Sequence, residues 1–151
     1  MKTLQISDNL ARQIYPSADT QLKSLLEENF GKLFFSQKIT EKIKTFEDAC
    51  EILGDEDDII CQSHPADEVA YAQLKVIVKA LNEGWQPDWN NSNQYKYYPW
   101  FVMEGGFRFD DVHYHCTGSL VGSRLCFKSR ELAEYAGKTF KKLYEQYFLL
   151  K

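Results

Sequence analysis

Apolar positions in the front half of the chain recur at three- and four-residue spacing, the period of helices that bury one stripe. Ser7 or Asp8 can cap a short helix through Leu10, Ala11 and Ile14, which must stop near Pro16. Ser17 or Asp19 opens a second, with Leu22, Leu25, Leu26 and Phe30 on one stripe and Gly31 as its stop. Ser36 precedes Ile39 and Ile43. Thr45-Phe46-Glu47-Asp48 resembles a capping box, with Asp in place of the usual Glu, and Gly54 ends the helix it starts. After an acidic loop at residues 55–58, Pro65 suits a first helical residue. Val69, Leu74, Val76, Ile77, Ala80 and Leu81 then form the longest helix of this half, ended by Asn82-Glu83-Gly84.

At Trp85 the pattern changes. Residues 85–127 hold 11 of the 22 aromatics in the chain, and the period shortens toward that of strands. Residues 95–103 and 106–109 are β-prone runs separated by Glu104-Gly105. Asp110-Asp111 is expected to turn the chain into a further strand at 112–116. A loop at 117–123 leads to a last strand at 124–127, with Leu125 and Phe127 on one face and Arg124 and Cys126 on the other. Ser129 caps a final helix whose stripe is Leu132, Ala136, Phe140, Leu143 and Tyr147. Helices followed by strands argue α+β. The expected fold is one domain over residues 1–151. It has N-terminal helices to residue 84, an antiparallel sheet of three or four strands over 95–127, and a C-terminal helix over 129–148 packed on the sheet.

Composition narrows the setting. The four cysteines, Cys50, Cys61, Cys116 and Cys126, form no CxxC pair and suggest no disulfide framework. No apolar run reaches the roughly 18 residues of a membrane span, and the N-terminus lacks a signal-peptide core, so the expected location is cytoplasmic, with no membrane partner. Net charge is −4 but uneven. Residues 1–94 carry 9 basic and 16 acidic side chains, and residues 95–151 carry 9 and 6. That balance falls short of the basic patch of a duplex-DNA binder.

Chemistry-bearing patterns are sparse. Cys61, His64, His113 and His115 are the closest approach to a metal set, since His113 and His115 share one face of a strand. The spacing fits no standard zinc signature, and Cys116 falls on the opposite face, so no metal or other cofactor is expected. Glu104, Asp110, Asp111 and His113 are the candidate acids and bases. An Asp pair in a turn is already explained by its own backbone hydrogen bonds. Cys116 and Cys126 read as small strand hydrophobes, and no phosphate-cradling glycine motif is present. The sequence therefore assigns no catalytic residue.

The aromatic tract carries more. In Trp85-Gln86-Pro87-Asp88-Trp89 and the strand after it, alternation puts Tyr95, Tyr97, Pro99 and Phe101 on one face, and Lys96, Tyr98, Trp100 and Val102 on the other. Core packing accounts for such residues more readily than a binding platform does. If a platform is present, its candidate residues are Trp85, Trp89, Tyr95, Lys96, Tyr98 and Trp100, with Arg108, Arg124 and Lys128 as cations. Aromatics interleaved with cations also suit single-stranded nucleic acid. The net negative charge favours a protein partner.

Four segments, residues 25–32 (LLEENFGK), 43–50 (IKTFEDAC), 81–89 (LNEGWQPDW) and 122–129 (GSRLCFKS), together resemble an uncharacterised family of small proteins from phages and prophages of gut Bacteroidetes. The resemblance spans most of the chain. It implies an accessory protein acting in the bacterial host cytoplasm, and it assigns no activity or catalytic residue. The combined expectation is a non-enzymatic binding module for a host or phage protein. Single-stranded nucleic-acid binding is the alternative, and a small enzyme or metal protein with a site near His113 and His115 is the third.

Overall fold

The computed structural model describes residues 6–54, 65–118 and 125–149. The acidic run at 55–58, and with it Cys61, His64 and Arg124, lies outside these residues. The described chain is α+β, with eight α-helices and a two-stranded antiparallel sheet.

The front helices start and stop where local chemistry requires. Ser7 Oγ accepts from Leu10 N to cap α1 (Asp8–Ile14), and Pro16 closes it in a 3-10 turn, Tyr15–Ser17. Asp19 caps α2 (Thr20–Phe30), which ends at Gly31 with φ +82°. Leu25 leaves the expected stripe and is exposed; Leu26 is the buried residue of this helix. Short α3 (Lys32–Ser36) and α4 (Ile39–Lys42) follow. The capping box at Thr45 and Asp48 forms in full and starts α5 (Phe46–Leu53), which Gly54 ends in the left-handed region. Backbone N–H groups of Lys44 and Thr45 donate to the Asp48 carboxylate and hold its pKa below the usual value. Pro65 precedes rather than begins α6 (Ala66–Leu81).

The sheet departs from expectation in two ways. The expected break at Glu104-Gly105 is the hairpin turn, at 103–107, where Gly105 and Gly106 have φ of +72° and +115°, but the second turn expected at Asp110-Asp111 does not form. Two expected short strands therefore fuse into one, β2 (Arg108–His115), paired with β1 (Lys96–Val102). The register slips between Trp100–Asp111 and Phe101–Phe109, leaving Asp110 as the extra residue of a β-bulge. The expected last strand is reduced to one bridge, in which Tyr97 and Phe127 exchange both peptide hydrogen bonds. Pro99 supplies a reason. It is the next β1 residue facing that side and has no N–H to donate, so the ladder cannot continue.

The expected C-terminal helix is two. Ser129 caps α7 (Arg130–Thr139) through Leu132 N, and the chain bends at Phe140 into α8 (Lys141–Phe148). α7 lies on the face of the sheet carrying Pro99, Phe101, Phe109 and Val112, while α8 packs on α6 and α6 on α5. Gly137 permits the close approach: a Cβ there would lie 2.6 Å from the Phe109 ring and 2.7 Å from Pro99 Cβ. One core joins Ile39, Ile43, Leu74, Ile77, Leu81, Phe101, Phe127, Leu132 and Phe140. Among the described residues no helix is long and apolar enough to cross a membrane.

Candidate binding surface

The hairpin face away from α7 carries two of the predicted aromatic candidates, Tyr98 and Trp100. Toward its open end it is covered by the loop that follows α6. Here lies the largest correction to the expected platform: Lys96, a predicted exposed cation, is only 1% accessible. Its Nζ donates to the backbone carbonyls of Asp88 and Asn91 and stands 5.3 Å over the Trp89 ring. The ammonium is thus the bolt that fastens the 85–94 loop to β1. Tyr98 beside it is buried as well, which raises its phenol pKa. Trp85 and Trp89 are half-buried in the same loop.

Beyond the loop the face is open. Trp100 is 43% exposed, and its indole stacks on the His113 ring, centroids 4.7 Å apart and planes 6° from parallel. The pair sits on adjacent strands, so neither ring depends on a loop for its position. His115 is exposed farther along the same face. On the opposite face, past the end of α7, Tyr95 and Tyr114 are exposed and touch each other, with ring centroids 4.6 Å apart.

The other predicted cations are engaged within the fold. Lys128 Nζ pairs with Glu83 at 2.8 Å. Arg108 donates to the Glu104 carbonyl of its own turn at 3.1 Å. Arg130, which the sequence did not single out, reaches from the start of α7 to the Asp111 carboxylate and the Val112 carbonyl.

His113 and His115 share a face, as alternation requires, but among the described residues no three His, Cys, Asp or Glu side chains converge to hold a metal ion. Cys126 is buried, which pushes its thiol pKa up to about 11, the wrong direction for a nucleophile. A cleft of about 630 Å³ lies between the start of α6 and α8, lined by residues such as Asp67, Lys142 and Glu145. Glu104, Asp110, Asp111 and His113 do not line it.

His113, Tyr114 and Arg130 are the surface residues that sequence reasoning missed or misassigned. The signal for the first two was the hairpin register, hidden by placing a second turn at Asp110-Asp111. Compared with known proteins, the chain matches no protein family, no curated protein and no solved structure.

Proposed function

We propose that the chain is a non-enzymatic binding module whose partner is a protein seated on the hairpin face around Trp100 and His113. The carrying observation is the exposed Trp100–His113 stack on paired strands, surrounded by cations already engaged within the fold. A rigid, half-exposed tryptophan is the typical anchor of a protein interface. Single-stranded nucleic acid needs the same stacking surface plus a basic track for its phosphates. Here Lys96 is buried and Lys128 is ion-paired, so that track is weakened. The motif resemblance adds a setting to this reading: a phage or prophage accessory protein in the host cytoplasm.

Two measurements separate the ligand classes. A photo-crosslinking residue at Met103, exposed at the hairpin tip, should give one discrete protein adduct in cells. Trp100→Ala should abolish that adduct. Titration with oligo-dT should leave tryptophan emission unchanged. Quenching by oligo-dT that weakens steeply with salt would overturn the protein reading in favour of nucleic acid. An adduct indifferent to Trp100→Ala would remove the surface itself from the proposal.

A further inference from the structure

Backbone parity leaves β2 with an open side. Tyr97 exchanges both peptide hydrogen bonds with Phe127, so its N–H and C=O point away from β2. Pro99, two residues on, has the same orientation. Their cross-strand partners Tyr114 and Val112 therefore turn their own peptide groups away from β1, toward the outer edge. Among the described residues no strand pairs with that edge. Arg130 reaches it, donating from Nη1 to the Val112 carbonyl at 2.9 Å and from Nη2 to Asp111 Oδ1. A carbonyl oxygen has two lone pairs, so Val112 keeps one for an incoming N–H.

An open edge is a template for another strand. We infer that β2 pairs antiparallel with β2 of a second copy of this chain, about a two-fold axis through Val112, giving the strand order β1-β2-β2-β1. The argument is electrostatic complementarity between an imidazole N–H donor and a carboxylate acceptor. This axis sets Val112 opposite Val112, and it sets His113 of each copy opposite Asp111 of the other, on the face that carries Trp100. It also sets Tyr114 opposite Asp110. Moving the axis one residue either way sets Asp111 against Asp111 or His113 against His113. The pattern therefore selects one register. The Trp100 stack already fixes the His113 ring where the second copy meets it, and the Asp111 carboxylate retains its second oxygen after pairing with Arg130. The inference shares His113 with the surface proposed above but rests on the backbone edge of β2, so the Val112 and Tyr114 amides of the wild-type chain test it whether or not Trp100 anchors a partner.

Sedimentation of the full chain between about 10 μM and 1 mM tests it. The expected result is a concentration-dependent rise from 17.6 kDa to twice that mass. Hydrogen exchange at the Val112 and Tyr114 amides should slow in parallel. His113→Glu places like charges opposite each other twice per dimer and should weaken association about tenfold or more. Adding Asp111→Lys in the same chain should restore it. A chain that stays at 17.6 kDa throughout overturns the inference. So does a dimer that His113→Glu leaves intact, or one whose Val112 and Tyr114 amides exchange at the same rate at both concentrations. The amide measurement uses the wild-type chain and decides the matter even if a variant fails to fold.

Discussion

Two buried polar side chains show what single residues contribute here. Lys96 is accommodated in the interior because two carbonyls and an indole replace the water its Nζ lost. The sequence could not reveal this, since Lys96 occupies the place in the strand pattern of any outward-facing lysine; its burial depends on where the 85–94 loop folds back. Tyr144 is the opposite case. It is buried against Phe101, and among the described residues its hydroxyl has no hydrogen-bond partner. An unmet buried hydroxyl costs free energy that a phenylalanine of the same shape avoids. Tyr144→Phe is therefore expected to raise stability by about 1 kcal/mol, read as a higher denaturant midpoint with an unchanged slope. Burial also pushes the Tyr144 phenol pKa well above its ordinary value of 10.0. Below pH 10 the group is protonated in both folded and unfolded chains and contributes no pH dependence. Above pH 10 the unfolded chain ionises first, so folding weakens as pH rises. The variant should lose less stability than wild type over that alkaline range. A Tyr144→Phe protein less stable than wild type at neutral pH would mean that the hydroxyl does have a partner.

Among elements, those whose limits are set by a local signal were legible, and those limited by distant partners were not. Caps at Thr45 and Ser129 and stops at Gly31 and Gly54 could be read directly from the sequence, and the first two caps were narrowed to Ser7 or Asp8 and to Ser17 or Asp19, because each satisfies backbone groups within its own turn. The break at Phe140 could not. The stripe Leu132, Ala136, Phe140, Leu143 and Tyr147 runs through it unbroken, and the bend exists because α7 lies on the sheet while α8 lies on α6. Pro99 was a usable signal for the missing third strand, but its effect depends on which side of β1 each residue faces. Gly137 sits inside α7, where a glycine is costly, and the structure shows what it approaches. Alanine is the better helix former by about 1 kcal/mol. Even so, Gly137→Ala should destabilise, because its Cβ would fall within 2.7 Å of the Phe109 ring and Pro99. A net loss of about 1–3 kcal/mol is expected, and a larger one for Gly137→Leu. Denaturant midpoints check this. A Gly137→Ala midpoint at or above that of wild type would place α7 farther from the sheet.

At the scale of the whole molecule, the sequence foresaw the fold class but not the location of the exposed surface. Aromatic content locates the hairpin; exposure depends on which rings α7 and the 85–94 loop cover. The molecule also has a layer that composition does not reveal. Ala11 and Leu26 are buried, yet they lie outside the core that joins α5, α6, the sheet, α7 and α8. Around them Tyr15, Phe30, Phe34 and Phe35 form their own ring cluster. Arg12 is one tie between this layer and the rest, alongside Lys42 over the Phe34 ring and Gln13 against Gly84. Its guanidinium donates to the carbonyls of Phe34 and Gln37, lies 4.5 Å over the Phe34 ring, and stands 3.6 Å from Glu83 at the end of α6. A satellite cluster outside the main core should open at lower free energy than that core. In native-state hydrogen exchange, amides of α1, α2 and α3 should therefore exchange before those of α6 and α7. Arg12→Ala removes the donors to two carbonyls and one of the two cationic partners of Glu83 in one step. It should strip protection from residues 8–36 while the slowest amides of α6 and α7 keep most of theirs. If those slowest amides lose protection by the same factor as α1–α3, the N-terminal helices fold as one cooperative unit with the core, and the layered view is wrong.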